Sequence, residues 1–73
     1  MTHALASNLA ALYLQLGDKV EACNYATKAV TLDPYSYIGY YNRFLCYFNQ
    51  DNLRAKHELD KALSCLYLLI GFT

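Results

Sequence analysis

Charge is scarce in this chain, and neither sign prevails. Six Lys and Arg balance six Asp and Glu, and charged residues make up 16% of the 73, where a soluble domain averages about 25%. Nucleic-acid binding rests on a basic field. Here Lys19, Lys28, Arg43, Arg54, Lys56 and Lys61 are dispersed among acids, so no nucleic-acid partner is expected. Only three glycines occur, and no Gly-rich phosphate loop can be built from them. No G-x-S-x-G turn is present. His3 and His57 lack partners at metal-ligand spacing, and Glu58, adjacent to His57, points off its helix face. These absences predict a protein that is not an enzyme and carries neither cofactor nor metal.

Cysteine is sparse as well. Cys23, Cys46 and Cys65 form an odd set without CxxC spacing, unlike the denser, even set of a small secreted scaffold. The expectation is three reduced thiols packed as small hydrophobes, with a cytoplasmic or nuclear location. The N-terminus lacks the basic region of a secretory signal. No run approaches the roughly 18 apolar residues that cross a bilayer, so no membrane span is expected.

What is abundant is apolar surface. Hydrophobic residues make up 56% of a chain long enough for only one small domain, whose own core is marginal at this size. A partner is therefore expected to cover part of it.

The chain also echoes itself. Tyr13 returns as Tyr47 and Asn8 as Asn42, each 34 residues on. Ala22 returns as Ala55, and Lys28-Ala29 as Lys61-Ala62, each 33 on. A fixed period of this size marks stacked helical repeats. Helices are predicted over about 3–16, 19–32, 37–49 and 52–70. Leu5, Leu9, Leu12, Tyr13 and Leu16 form a helical stripe on the first. Gly17 can end that helix, and Asp18 with Glu21 starts the next as a capping box. Pro34 forces a break after Asp33. Ser36 and Asp51 can cap the third and fourth helices, and Asn49 tolerates a left-handed turn. A tight Gln50-Asp51 junction, one residue shorter than Leu16-Gly17-Asp18, accounts for the step from 34 to 33. Turns this short make neighbouring helices antiparallel, with Ala22, Ala26, Ala29, Ala55 and Ala62 allowing close approach.

These residues resemble the tetratricopeptide repeat, whose signature is W-x₂-L-G-x₂-Y, then A-x₃-F, then A and P. The first copy matches at Leu9, Tyr13, Gly17-Asp18, Ala22, Ala29 and Leu32-Asp33-Pro34. It has Ala6, Ala10 and Ala26 where the family has Trp, Gly and Phe. The second matches at Tyr40, Tyr47, Ala55, Leu59 and Ala62-Leu63. It departs at Arg43 and Phe44, lacks the turn Gly, and has Tyr67 where Pro would fall. The resemblance implies an all-α chain forming one domain over 1–73, with repeats at about 3–36 and about 37–70. These would make two helix-turn-helix units in a right-handed solenoid.

By the family pattern, the first helix of each repeat lines a concave face that binds a peptide or partner helix. Asn8 and Leu14, then Tyr41, Asn42, Leu45, Phe48 and Asn49, would contact the partner there, in a neutral groove with an aromatic end. Only Asn42 matches the family's clamp for a C-terminal carboxylate, which disfavours an acidic chaperone tail. A second contact surface is expected on the last helix. Leu59, Ala62, Leu63, Leu66 and Ile70 form a stripe able to cover the third helix, with Leu68 and Leu69 off it and Phe72 beyond, and the expected contact is the apolar end formed by Leu66, Leu68, Leu69 and Phe72. A terminal repeat normally needs a polar outer face, and this one lacks it. The expected role is a non-catalytic scaffold or adaptor, in a hetero-complex or a homo-oligomer joined through this helix. The alternative is a purely structural subunit or fragment of a larger assembly or longer array, with no peptide in the groove.

Overall fold

The computed structural model describes residues 1–71 as four helices, α1 (His3–Leu16), α2 (Lys19–Leu32), α3 (Tyr37–Tyr47) and α4 (Asn52–Leu69), with no strand among them. Each begins at a small polar side chain that accepts an otherwise unpaired backbone N–H. Asp18 accepts from the N–H of Glu21 at 3.1 Å, Ser36 from that of Ile38 at 3.3 Å, and Asp51 from that of Arg54 at 3.2 Å. Thr2 does the same for α1 through Leu5, a cap that sequence reading did not single out.

Gly17 ends α1 at φ 83°, its N–H bonded to the Leu14 carbonyl while that of Asp18 reaches Tyr13. This paired closure is the left-handed C-terminal motif that glycine makes inexpensive. The second turn uses Asn49, as expected, but α3 ends two residues earlier than predicted. No glycine is available there, so α3 stops at Tyr47 and Asn49 takes the left-handed conformation at φ 66°. The junction is not a tight two-residue turn; it runs from Phe48 to Asp51. The residue missing from the second repeat comes out of the helix rather than the loop.

The helices pack in chain order: α1 on α2, α2 on α3 and α3 on α4, with α1 also touching α3. Among the described residues α4 meets neither α1 nor α2, whereas a closed four-helix bundle would return the last helix to the first. The result is an open layer, 37 × 29 × 17 Å.

Alanine makes the interior. Ala6, Ala10, Ala22, Ala26 and Ala29 have no exposed surface, and Ala55 and Ala62 almost none. The largest fully buried side chain is that of Cys46. Small side chains let backbones approach closely. Gly39 shows the limit, because a Cβ there would stand 2.9 Å from Val30 Cγ2. The leucine stripe of α1 is accordingly not its buried face: Leu5, Leu12 and Leu16 are exposed, and Ala6 and Ala10 face inward. In the first repeat, the Tyr13 and Tyr25 rings stack across α1 and α2 at 5.6 Å. In the second, Glu58 stands where Tyr25 stood and the stack is lost. The face of Tyr47 is occupied instead by the guanidinium groups of Arg43 and Arg54, at 6.0 and 5.7 Å.

Candidate functional site

One residue from each of the two expected surfaces, Tyr41 and Leu66, lines a single groove. Tyr37 and Tyr41 of α3 and Leu59, Ala62, Leu63 and Leu66 of α4 line an open groove of about 250 Å³ whose walls are wholly apolar. Tyr41 was expected on the concave face and Leu66 on the terminal helix, yet they share this lining. From Tyr41 an aromatic ladder continues along α3 to Phe44 at 5.9 Å and then Phe48 at 5.7 Å. The spacing of 41, 44 and 48 puts all three rings on one side of the helix.

Several expected contact residues stand elsewhere. Asn42 is not available to a peptide. It is buried, and its side-chain amide donates to the Ser7 carbonyl at 3.2 Å, tying α3 to α1. Its repeat partner Asn8 is exposed. Leu14 and Leu45 are half-buried, and Asn49 occupies the turn, its N–H bonded to the Asn52 side chain. Leu68 and Leu69, 77% and 70% exposed, extend past the groove along α4. Phe72 lies outside the described residues. Tyr37 and Leu63 were not among the expected contacts. Their signal was present in the repeat, since they follow His3 by 34 and Val30 by 33 residues.

Cysteine pairing also departs from expectation. Cys23 of α2 and Cys46 of α3 form a disulfide, with Cα atoms 5.7 Å apart, and only Cys65 is free. An odd count and the lack of CxxC spacing described the chain, not the helix interface that brings these two thiols together. The expected cytoplasmic location rested on three reduced thiols and loses that support.

Behind the groove lies a polar contact between α3 and α4. The Arg43 guanidinium faces the buried carboxylate of Glu58 at 3.1 Å, off the hydrogen-bonding direction, so the contact is an ion pair. Next to it, burial raises the Tyr40 phenol above its ordinary pKa of 10.0; Cys65 and Glu58 add to the shift and Arg43 opposes it. Lys61 lies over the Tyr40 ring at 5.6 Å. No helix among the described residues is long and apolar enough to cross a membrane, and no cluster of His, Cys, Asp and Glu there could hold a metal ion. No family model, curated protein or solved structure matches the chain.

Proposed function

We propose that the chain is a non-catalytic protein-interaction module of tetratricopeptide-like design, acting as a scaffold or adaptor. The observation that carries the reading is the groove between α3 and α4. It gathers Tyr41, Leu63 and Leu66 into one apolar concavity on a protein too thin to cover it. Exposed apolar clusters of this kind are normally contact surfaces. An amphipathic helix laid into such a groove would be held by side chains spaced three and four residues apart. The open, chain-order packing of the helices and the 34-residue echo support the repeat design.

A second reading, a structural subunit with no exchangeable peptide, draws support from Asn42. That buried amide donates to the Ser7 carbonyl, so one of the two asparagines expected to contact a partner is engaged within the chain, while Asn8 stays exposed. The first reading puts the partner on the α3–α4 groove; the second puts the assembly contact on the terminal helix, with no peptide in the groove. A photo-crosslinking side chain in place of Tyr41 should capture a protein, and Leu63→Asp should abolish the product without changing the helical circular dichroism. Absence of any crosslinked product with the unsubstituted groove would overturn the module reading.

A further inference from the structure

The groove is a translated copy of a surface that is already occupied inside the molecule. Stepping back one repeat, Tyr37, Tyr41, Leu59, Ala62, Leu63 and Leu66 correspond to His3, Ser7, Ala26, Ala29, Val30 and Asp33. Those first-repeat positions form the seat of α3. The Ser7 carbonyl accepts from Asn42, Val30 abuts Gly39, His3 Nε2 meets the Ser36 hydroxyl at 3.1 Å, and Ala26 and Ala29 are sealed.

The docking face of α3 has its counterpart too. Gly39, Asn42 and Cys46 are the α3 residues buried against the first repeat, through Val30, Ser7 and Cys23 respectively. Their equivalents on α1 are Leu5, Asn8 and Leu12. All three are exposed, the leucines at 49% and 47%. The chain therefore displays both halves of its own internal interface: a vacant seat at one end and an undocked helix face at the other.

We propose that a second copy of this chain seats its α1 on the α3–α4 groove of the first, head to tail, as α3 sits on α1 and α2 within one copy. The proposal rests on reading the chain as an interaction module and names the occupant of its groove. Asn8 then donates to the Tyr41 carbonyl of the neighbouring copy, as Asn42 does to Ser7. Leu5 stands where Gly39 does and meets Leu63, the counterpart of Val30; both leucines are exposed in the single copy, and their side chains turn aside for Asn8 to reach the Tyr41 carbonyl. By the same register Leu12 meets Lys56, the counterpart of Cys23, whose ammonium is paired with Asp60 at 2.8 Å, so the hydrocarbon stem of the lysine is what the leucine covers. Such a contact joins different surfaces of the two copies and does not close on itself, so it generates growing chains rather than a dimer.

The test is sedimentation equilibrium on the full chain from about 10 μM to about 1 mM, the regime of small interfaces. Average mass should rise with concentration beyond that of a dimer. Leu5→Asp spoils the helix face and Leu63→Asp spoils the seat, each at an exposed position, and each variant alone should stay monomeric. Mixed in equal amounts, they retain one good face of each kind and should form a dimer that grows no further. Leu12→Asp and Tyr41→Asp provide an independent pair if either first variant loses helical circular dichroism. A wild type of constant mass would overturn the proposal, as would a Leu5→Asp variant that associates like the wild type. Failure of the mixture to dimerise would overturn it too, whereas a Leu5→Asp variant that dimerises alone is the signature of symmetric groove-to-groove pairing. A constant-mass wild type whose Tyr41 crosslinker still captures a different protein would refute self-stacking and leave the module reading intact.

Discussion

The side-chain amide of Asn42 donates to the backbone carbonyl of Ser7, 35 positions earlier, across the contact between α3 and α1. The bond is buried, and it joins α3 to α1. Replacing Asn42 by Leu removes the donor and forces a larger apolar group against Ala-lined backbone. The Ser7 carbonyl keeps its helical partner within α1, so the cost is the lost side-chain hydrogen bond together with overpacking of about 1–3 kcal/mol. Asn42→Leu should lower the unfolding free energy obtained from urea titration by about 1–3 kcal/mol, while Asn8→Leu, at the exposed equivalent, should stay within about 0.5 kcal/mol. Equal effects at both positions would contradict this division of roles.

Gly39 offers a case where two opposing effects can be weighed. Alanine in a helix interior gains about 1 kcal/mol over glycine from propensity alone. The added Cβ would stand 2.9 Å from Val30 Cγ2 and 3.2 Å from the Val30 backbone nitrogen. A β-branched side chain has little freedom to retreat, and the backbone has less. Overpacking of about 1–3 kcal/mol should outweigh the propensity gain. Gly39→Ala is thus expected to be destabilising in thermal melts, and a raised melting temperature would refute the close α2–α3 contact.

The Cys23–Cys46 disulfide fastens α2 to α3 and closes a chain segment of 23 residues' separation. A loop of that length restricts the unfolded chain by about 3 kcal/mol. Melts with and without a reductant should differ accordingly, and Cys23→Ser with Cys46→Ser should reproduce the reduced protein. Cys65→Ser should leave the difference unchanged, because that thiol is outside the bond.

Tyr40 predicts a dependence on alkaline pH. Its phenol holds its proton above the ordinary value of 10.0 in the folded state, chiefly through burial. Between that value and the raised one, the unfolded chain has released the proton and the folded chain retains it. Stability is therefore complete below about pH 10 and falls as pH rises through the raised folded pKa. Tyr40→Phe should flatten the fall in urea midpoint between about pH 9 and about pH 11. The other tyrosines are common to both proteins and cancel in the comparison.

Local signals in the chain were readable because their causes are local. Asp18, Ser36 and Asp51 cap helices through backbone groups two or three residues away. Gly17 and Asn49 turn the chain at their own φ angles. Contacts between helices were harder to read. Cys23 and Cys46 meet because the faces of α2 and α3 bring them together, and spacing along the chain does not report a face. Asn8 and Asn42 were recognisable as a pair, but which neighbour they serve depends on whether a repeat precedes them. The leucine stripe on α1 has the periodicity of a buried face and is exposed; alanine, which registers weakly in any hydrophobic pattern, is the side chain inside. Tyr41 and Leu66 were assigned to different surfaces because they belong to different helices, and the groove exists only between those helices.

The alanine interior has a thermodynamic consequence. A layer 17 Å thin, sealed by methyl groups, hides little hydrocarbon from water when it folds. The heat-capacity increment of unfolding scales with the apolar area released, as does the slope of stability against denaturant. Both quantities should therefore be small even for so short a chain, and its stability curve broad and flat.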